Sequence, residues 1–407
     1  MEKCEDIKKI YIWGAGHYAG YIYSMINKDM CQIKGIIDSD RQKQGSLWEN
    51  ELMIYAPEQL LSSEYDQIII SVLKYTPIEM ACKKMGIPEE KIIAYWKNAE
   101  STGIFLNRDL LILEEKRKNE IMKNRLDSAP YEWGIKSVPQ IESSEVLLKK
   151  IIKDKSSLCR FGDGEFNIIL ENGCPWFQKE SESLKRRLIE VLHVDVPDIN
   201  IAIAQNFLGL EQYTEEAADE IRAYMSHGIR NGIIRFLDLT RVYYNAYVTR
   251  PYLIYKDKNN ADRIFTLFKE LWDHRNVIIV EGRYGRSGIY NDLYDNAGSV
   301  RRIICPAQNA WQCYDEILGS VLRYADRDDL VCLSLGPAAT VMAYDVARQG
   351  IQALDIGQLD NEYDWFRNKA KQRTSIPGKM VAEISDNGCL DIFENVEYQS
   401  QVIAEIV

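Results

Sequence analysis

Two carboxylates one residue apart, Asp163 and Glu165, stand in the run SSLCRFGDGEFNIILEN at residues 156–172, each preceded by a glycine. Projected from a tight turn, oxygen ligands so placed can share one hard divalent cation. Arg160 lies just before them and brings a planar cationic fork that suits a phosphate or a carboxylate. Together these groups have the make-up of a metal–diphosphate site. An ordinary turn is the plainer alternative, because Gly and Asp collect in turns for conformational reasons alone.

Further along, Arg250 precedes Pro251 in YNAYVTRPYL, and a proline holds the residue before it extended. A cation there can neutralise phosphate, or can simply be a surface arginine in a turn. The run NVIIVEG ends at Glu281 and opens into a loop offering Arg283 and Arg286 to phosphate, and Asn291 and Asp292 to a ribose, a sugar hydroxyl or the waters of a metal. In LVCLSLGPAATVMAYDVARQG, Gly336 permits close backbone approach and Pro337 suits a first helical turn. The free N–H groups that follow, with Thr340, make an anion-binding helix end. The run QALDIGQLDNEYDWF then delivers Asp355, Gln358, Asp360, Glu362 and Asp364. A positioned carboxylate of this kind can take a proton from an attacking hydroxyl, although alternating acids can equally form a solvated edge.

Each of these groups follows a short apolar run, which predicts an α/β sheet with ligands at the carboxyl ends of its strands. Residues 1–100 repeat the alternation on a smaller scale: KKIYIWGAG as strand and glycine turn, a helix over 17–27, then the strands IKGIIDSD and YDQIIISV. This is a Rossmann-like unit. Gly14 and Gly16 begin its glycine motif, Gly20 falls one place later than in G-x-G-x-x-G, and Asp38 lies near the distance at which such folds meet a ribose. The motif fits a nucleotide with its phosphates on the helix N-terminus, or a turn needed only for packing; binding without catalysis lies between. Residues 101–134 read as a helical linker broken at Pro130 and Gly134, 135–375 as the larger domain, and 376–407 as a tail that packs on the core as a strand or helix, or meets a partner.

With 407 residues, 61 acidic against 50 basic, and a net charge of -11, the chain is built for two domains and against nucleic-acid or anionic-lipid surfaces. Its nine cysteines, Cys4 and Cys389 among them, are scattered with no C-x-x-C, which predicts reduced thiols and a cytoplasmic address. Four histidines without ligand spacing argue against zinc. No apolar run approaches the length of a membrane span, and MEKCEDIKKI is too charged for a secretory segment.

The motif CRFGDGEF resembles the opening motif of the GT-D-type glycosyltransferases, a bacterial family with Asp-x-Glu where other sugar transferases use Asp-x-Asp. The stretches TRPY, VEG, NDL, CPAQNA and DIGQLDNEYDWF are similar to the family's in the same order, over residues 135–370. Tyr290 stands where a glycine is expected, Tyr284 and Gly285 alter the loop before Arg286, and Gln358 replaces the usual histidine. The resemblance implies metal-dependent transfer of a sugar from a nucleotide-sugar, expected to be a UDP-sugar, to a hydroxyl of a glycan or glycoprotein precursor. It implies Mn²⁺ or Mg²⁺ at Asp163 and Glu165, donor contacts from Arg160, Gly162, Arg250, Glu281, Arg286, Asn291, Asp292, Gly336, Pro337, Thr340 and Gln358, and Glu362 as base with Asp360 second. Two other classes stay open: an NAD-dependent nucleotide-sugar oxidoreductase or epimerase centred on Gly14, Gly16 and Asp38, and a non-catalytic nucleotide-sugar-binding protein. The first lacks a convincing Tyr-x-x-x-Lys pair or catalytic cysteine context. A homo-oligomer is compatible with either.

Overall fold

A computed structural model describes residues 7–49, 51–98, 104, 105, 108–384, 390 and 394–406; Cys4, Cys389 and parts of the linker and tail fall outside them. The chain divides into two compact units, Met1–Glu120 and Ile121–Val407.

The first unit holds strands β1 Lys8–Trp13, β2 Cys31–Ile37, β3 Leu47–Trp48, β4 Leu52–Tyr55, β5 Gln67–Ile70 and β6 Ile92–Ala94, in sheet order β3-β4-β2-β1-β5-β6. β1 is central and pairs parallel with β2 and β5. Ile10 and Ile12 enter one core while Tyr11 and Trp13 enter the other, so both faces are buried. That explains why β1 reads as a continuous apolar run and not as an alternation. The chain leaves β1 at Gly14 with φ +116°, where a Cβ would fall 2.6 Å from Ser71 Oγ.

The long helix Arg108–Glu132 continues through Pro130, where the sequence pattern predicts a break. The proline falls in the last turn, where its missing N–H forfeits a single intrahelical bond. The helix stops soon after, with Gly134 at φ +69° donating to the Tyr131 carbonyl at 3.0 Å. Its final turns are held by Arg125 to Asp219 at 2.6 Å and by Glu132 to Arg222 at 2.8 Å.

The second unit carries β7 Gln140–Glu142, β8 Ser157–Phe161, β9 Ile199–Ile203, β10 Val242–Asn245, β11 Asn276–Gly282, β12 Ser299–Cys305, β13 Leu330–Ser334, β14 Gln352–Asp355 and β15 Val402–Glu405. Their order is β15-β12-β11-β13-β14-β8-β9-β10-β7, and every pairing is parallel. Within the tail, β15 closes the sheet beside β12. Ile278, Val280, Val331 and Leu333 face one core, and Val277, Ile279, Leu330 and Cys332 face the other. No helix among the described residues is long and apolar enough to cross a membrane.

One seam of this sheet is thin. β14 and β8 share a single register pair, Leu354 with Leu158. Side chains complete it: Ser157 Oγ accepts the Ala353 N–H at 3.0 Å and Gln352 Nε2 donates to the Ser156 carbonyl at 2.9 Å. Ser157→Ala strands a buried N–H and should cost about 1–3 kcal/mol, measured by urea unfolding; a loss of a few tenths would show that the seam does not depend on this bond.

Candidate active site

A cavity of about 420 Å³ opens at the carboxyl edge of the larger sheet, bordered by the residues that follow β8, β9, β11, β12, β13 and β14. Of the groups expected at a ligand, Arg160, Gly162, Asp163, Glu165, Arg250, Gly336, Pro337, Gln358 and Asp360 border it. Glu281, Arg286, Asn291, Asp292, Thr340 and Glu362 are not among its lining residues.

At the floor, Arg160 bridges the thin seam. Its Nε donates to the Asp355 carbonyl and its Nη2 to Asp355 Oδ1, both at 2.8 Å, so most of its fork is committed before any ligand arrives. Thr340, expected at an anion-binding helix end, is fully buried and donates to the Arg160 carbonyl at 2.9 Å. Gly336 has φ +59°, and a Cβ there would lie 2.6 Å from Phe177 Cε2. The glycine therefore makes room for Phe177, where close approach of a ligand was expected. Pro337 begins the helix Pro337–Ala347, as its fixed φ favours.

The acidic pair lies in the first turn of the helix Asp163–Ile169, not in a free turn. Helical residues two apart leave on different sides, so the two carboxylates have separate surroundings. Glu165 folds back, and its Oε2 accepts the Gly162 N–H at 2.7 Å. Burial, and then the nearby charge of Asp355, push its carboxyl up to about 7. Asp163 is exposed at the cavity, and its carboxylate makes no hydrogen bond or ion pair among the described residues.

Arg250 pairs with Glu383 at 2.6 Å. Burial works against the arginine's charge, but Glu383, Glu362 and Asp163 together hold it above its ordinary value; the pair in turn holds Glu383 below the usual carboxylate range against its own burial.

The remaining expected groups stand behind the wall. Glu362 is 1% exposed and accepts the N–H groups of Tyr252 at 3.0 Å and Leu253 at 3.2 Å; its burial raises its pKa. Glu281 is fully buried against Arg302 at 2.8 Å and accepts the Ser287 N–H at 2.7 Å. Arg286 donates to the carbonyls of Gly378 at 2.6 Å and Leu390 at 2.7 Å, so its fork meets peptide oxygen instead of phosphate. Asp292 binds Lys269 at 2.7 Å and Tyr363 at 2.9 Å. Asn291 donates to Asp360 at 2.8 Å and Asp364 at 2.9 Å, and Lys379, 1% exposed, reaches the same two carboxylates at 2.7 Å each. Asp360 thus reaches the cavity sharing one cation with Asp364. Gln358 borders the cavity with its Oε1 buried and unpartnered among the described residues.

Sequence reasoning missed Trp176, Phe177, Tyr247, Met380 and Glu383, all of which border the cavity, and Lys379 behind it. A lone lysine inside the apolar run IPGKMVAEI was the available signal for the last segment. Asn309, at φ +59° just before the short helix Ala310–Cys313, also borders the cavity, and its side chain accepts the Lys179 N–H at 2.8 Å, holding the loop that carries Phe177. In the first unit, Asp38 accepts the Ala15 N–H at 2.8 Å and so closes the glycine turn on itself. Gly16 precedes the helix His17–Met25, where a Cβ would meet nothing within 4 Å, and a Cβ at Gly20 would only approach Glu49 at 3.8 Å.

A family profile described as glycosyltransferase GT-D fold matches residues 158–384, and one described as C2185-like, N-terminal, matches residues 6–93. The chain is 34% identical over 273 residues to the Streptococcus gordonii protein named probable glycosyl transferase Gly. It is 32% identical over 270 residues to glycosyltransferase GlyD of Streptococcus pneumoniae serotype 4. Each match takes in 66% of this chain but only 39% and 33% of those relatives. Among solved structures, a domain of unknown function 1792 described as having a distinct glycosyltransferase fold aligns with TM-score 0.62 at 30% identity, covering 67% of this chain and 97% of that one. A glycosyltransferase of the same domain class from Streptococcus sanguinis aligns with TM-score 0.62 at 30% identity, covering 66% of this chain and 100% of that one. The chain belongs to the GT-D fold family of glycosyltransferases.

Two predictions follow from the site's electrostatics. Lys379→Met leaves Asp360 and Asp364 facing each other without a cation and should cost about 3–5 kcal/mol in chemical denaturation; a loss below about 1 kcal/mol would show the triad to be dispensable. For Glu165, the folded value of about 7 lies above the ordinary 4.5, so its ionised form weakens the fold. This penalty is absent below the ordinary value and grows as pH rises toward the folded one. Carboxyl-carbon NMR of the metal-free protein should give a midpoint near 7, and stability should shift in favour of Glu165→Gln across that window; an ordinary midpoint would contradict the burial argument.

Proposed function

We propose that the chain transfers a sugar from a nucleotide-sugar, expected to be a UDP-sugar, to a hydroxyl of a glycan or glycoprotein precursor, with Mn²⁺ or Mg²⁺ in the cavity. The observation that carries this reading is the charge balance of the site. Both lining arginines are already paired with acids, Arg160 with Asp355 and Arg250 with Glu383, while the Asp163 carboxylate has no ion pair among the described residues. A bare diphosphate entering there meets uncompensated negative charge, and a divalent cation removes that obstacle.

The donor set suits such a cation. Asp163 offers hard oxygen at the cavity, and among the described residues no group of three or more His, Cys, Asp or Glu forms a cage. That combination fits a cation that keeps waters and shares substrate phosphates. Bound there, the cation would supply stabilisation of the charge that builds on the leaving diphosphate. The chain's own residues do the rest. Asp163 would hold the cation and Arg250 would turn to phosphate, with Gly336 and Pro337 at the same wall of the cavity. The unpartnered Gln358 carbonyl accepts from a donor hydroxyl, as an unmet buried acceptor favours. For the acceptor proton, Asp360 at the cavity is better placed than Glu362 behind it. A nucleotide in the first unit has less support, because Asp38 already occupies the Ala15 N–H.

Calorimetric titration of UDP should show binding with Mn²⁺ that EDTA abolishes, and Asp163→Asn should weaken it by roughly tenfold or more, the scale on which altered metal-site contacts are felt. UDP binding that is indifferent to both EDTA and the substitution would contradict the reading.

A further inference from the structure

The segment over residues 376–384 crosses the cavity as a strap. Met380 donates its N–H to the Tyr284 carbonyl at 2.9 Å, the Met380 carbonyl accepts from Asn361 Nδ2 at 3.2 Å, and the Ala382 carbonyl accepts from Trp176 Nε1 at 3.1 Å. Its two ends are fastened differently. At one end Lys379 is buried between Asp360 and Asp364, a contact that cannot open without exposing three charges. At the other, the Glu383 carboxylate pairs with Arg250 at 2.6 Å, each side chain 26% exposed. That end can let go while the buried end stays closed.

Resting on the nucleotide-sugar reading above, we propose that Glu383 is a specificity-determining residue of the cavity: its carboxylate occupies Arg250 until an anion that brings its own divalent cation takes its place. Displacing Glu383 exchanges one ion pair for another and leaves a carboxylate without a partner beside the incoming anion. A lone phosphate offers nothing against that cost. A diphosphate that carries a cation onto Asp163 also offsets the negative charge Glu383 leaves behind, so the site discriminates by charge balance as well as by shape. Glu383 acts through Arg250 and touches no reacting atom.

The test compares inorganic phosphate with pyrophosphate, each with Mg²⁺, on the full chain and on Glu383→Gln, with UDP and Mn²⁺ titrated alongside. The wild type should prefer pyrophosphate. The Gln variant should bind phosphate at least tenfold tighter and gain less for pyrophosphate, so that the preference shrinks about tenfold or more. Hydrogen exchange gives a second readout that needs no substitution: UDP with Mn²⁺ should speed exchange at the Glu383 and Ile384 amides of the wild type and leave Met380 unchanged, whereas a ligand settling beneath an unmoved strap would slow all three. An unchanged preference in the variant, or slowed exchange, overturns the inference while UDP binding to the wild type leaves the transferase reading standing. If UDP with Mn²⁺ fails to bind the wild type at all, the transferase reading itself falls.

Discussion

The site depends on one contact, Arg160 against Asp355. Parallel β8 and β14 meet through one register pair, and this ion pair, with Arg160 Nε on the Asp355 carbonyl, joins their carboxyl ends where the cavity begins. Thr340 ties the helix Pro337–Ala347 to the same two residues, its hydroxyl lying 2.9 Å from the Arg160 carbonyl and 3.2 Å from Asp355 Oδ2. β8 is thereby fixed at the cavity floor to β14, 195 residues on, and to the helix that precedes β14. A buried ion pair of this kind contributes little net stability compared with apolar packing, but leaving either partner alone is costly. Its role is to set geometry: the turn at Gly162, which carries Asp163 and Glu165, follows directly on β8.

Much of this architecture was legible in the sequence because parallel strands buried on both faces must be apolar throughout. The runs around Ile12, Ile69, Ile279 and Leu333 could be nothing else, and the polar residues after them fell where ligand groups belong. The Asp163 side of the site was readable for the same reason. What the sequence could not show is which polar groups spend themselves on one another. Arg286 and Leu390 are 104 residues apart, Glu362 and Tyr252 are 110 apart, and Arg302 and Glu281 meet only because β11 and β12 are neighbours. A charged residue after a strand therefore looked like a ligand contact when it was the brace for a loop. Lys379 and Glu383 went unread because they lie in a segment without motifs, and their importance comes from partners elsewhere in the chain.

The braces explain how a cavity rich in charge holds its shape. Glu281 fixes the loop after β11 through the Ser287 N–H, Asn291 joins that loop to Asp360 and Asp364, and Lys379 closes the group by bringing the strap to it. Preorganised donors and acceptors of this sort avoid reorganisation when charge develops in a reaction. Glu165 contributes in another way, since its carboxylate closes the turn at Gly162 while burial keeps it readier to hold a proton than an exposed acid. The site is thus rigid at its floor and at the Lys379 end of the strap. Its exchangeable charges are concentrated at Asp163, Arg250 and Glu383.

The central claim is that a cation and a diphosphate meet in this cavity beside Asp163. Anomalous scattering from Mn²⁺ in crystals grown with UDP tests it most directly. The account predicts a manganese peak bonded to an Asp163 oxygen and to the diphosphate, with Arg250 turned toward phosphate. A diphosphate bound elsewhere in the chain, or one in the cavity with manganese away from Asp163, would contradict it.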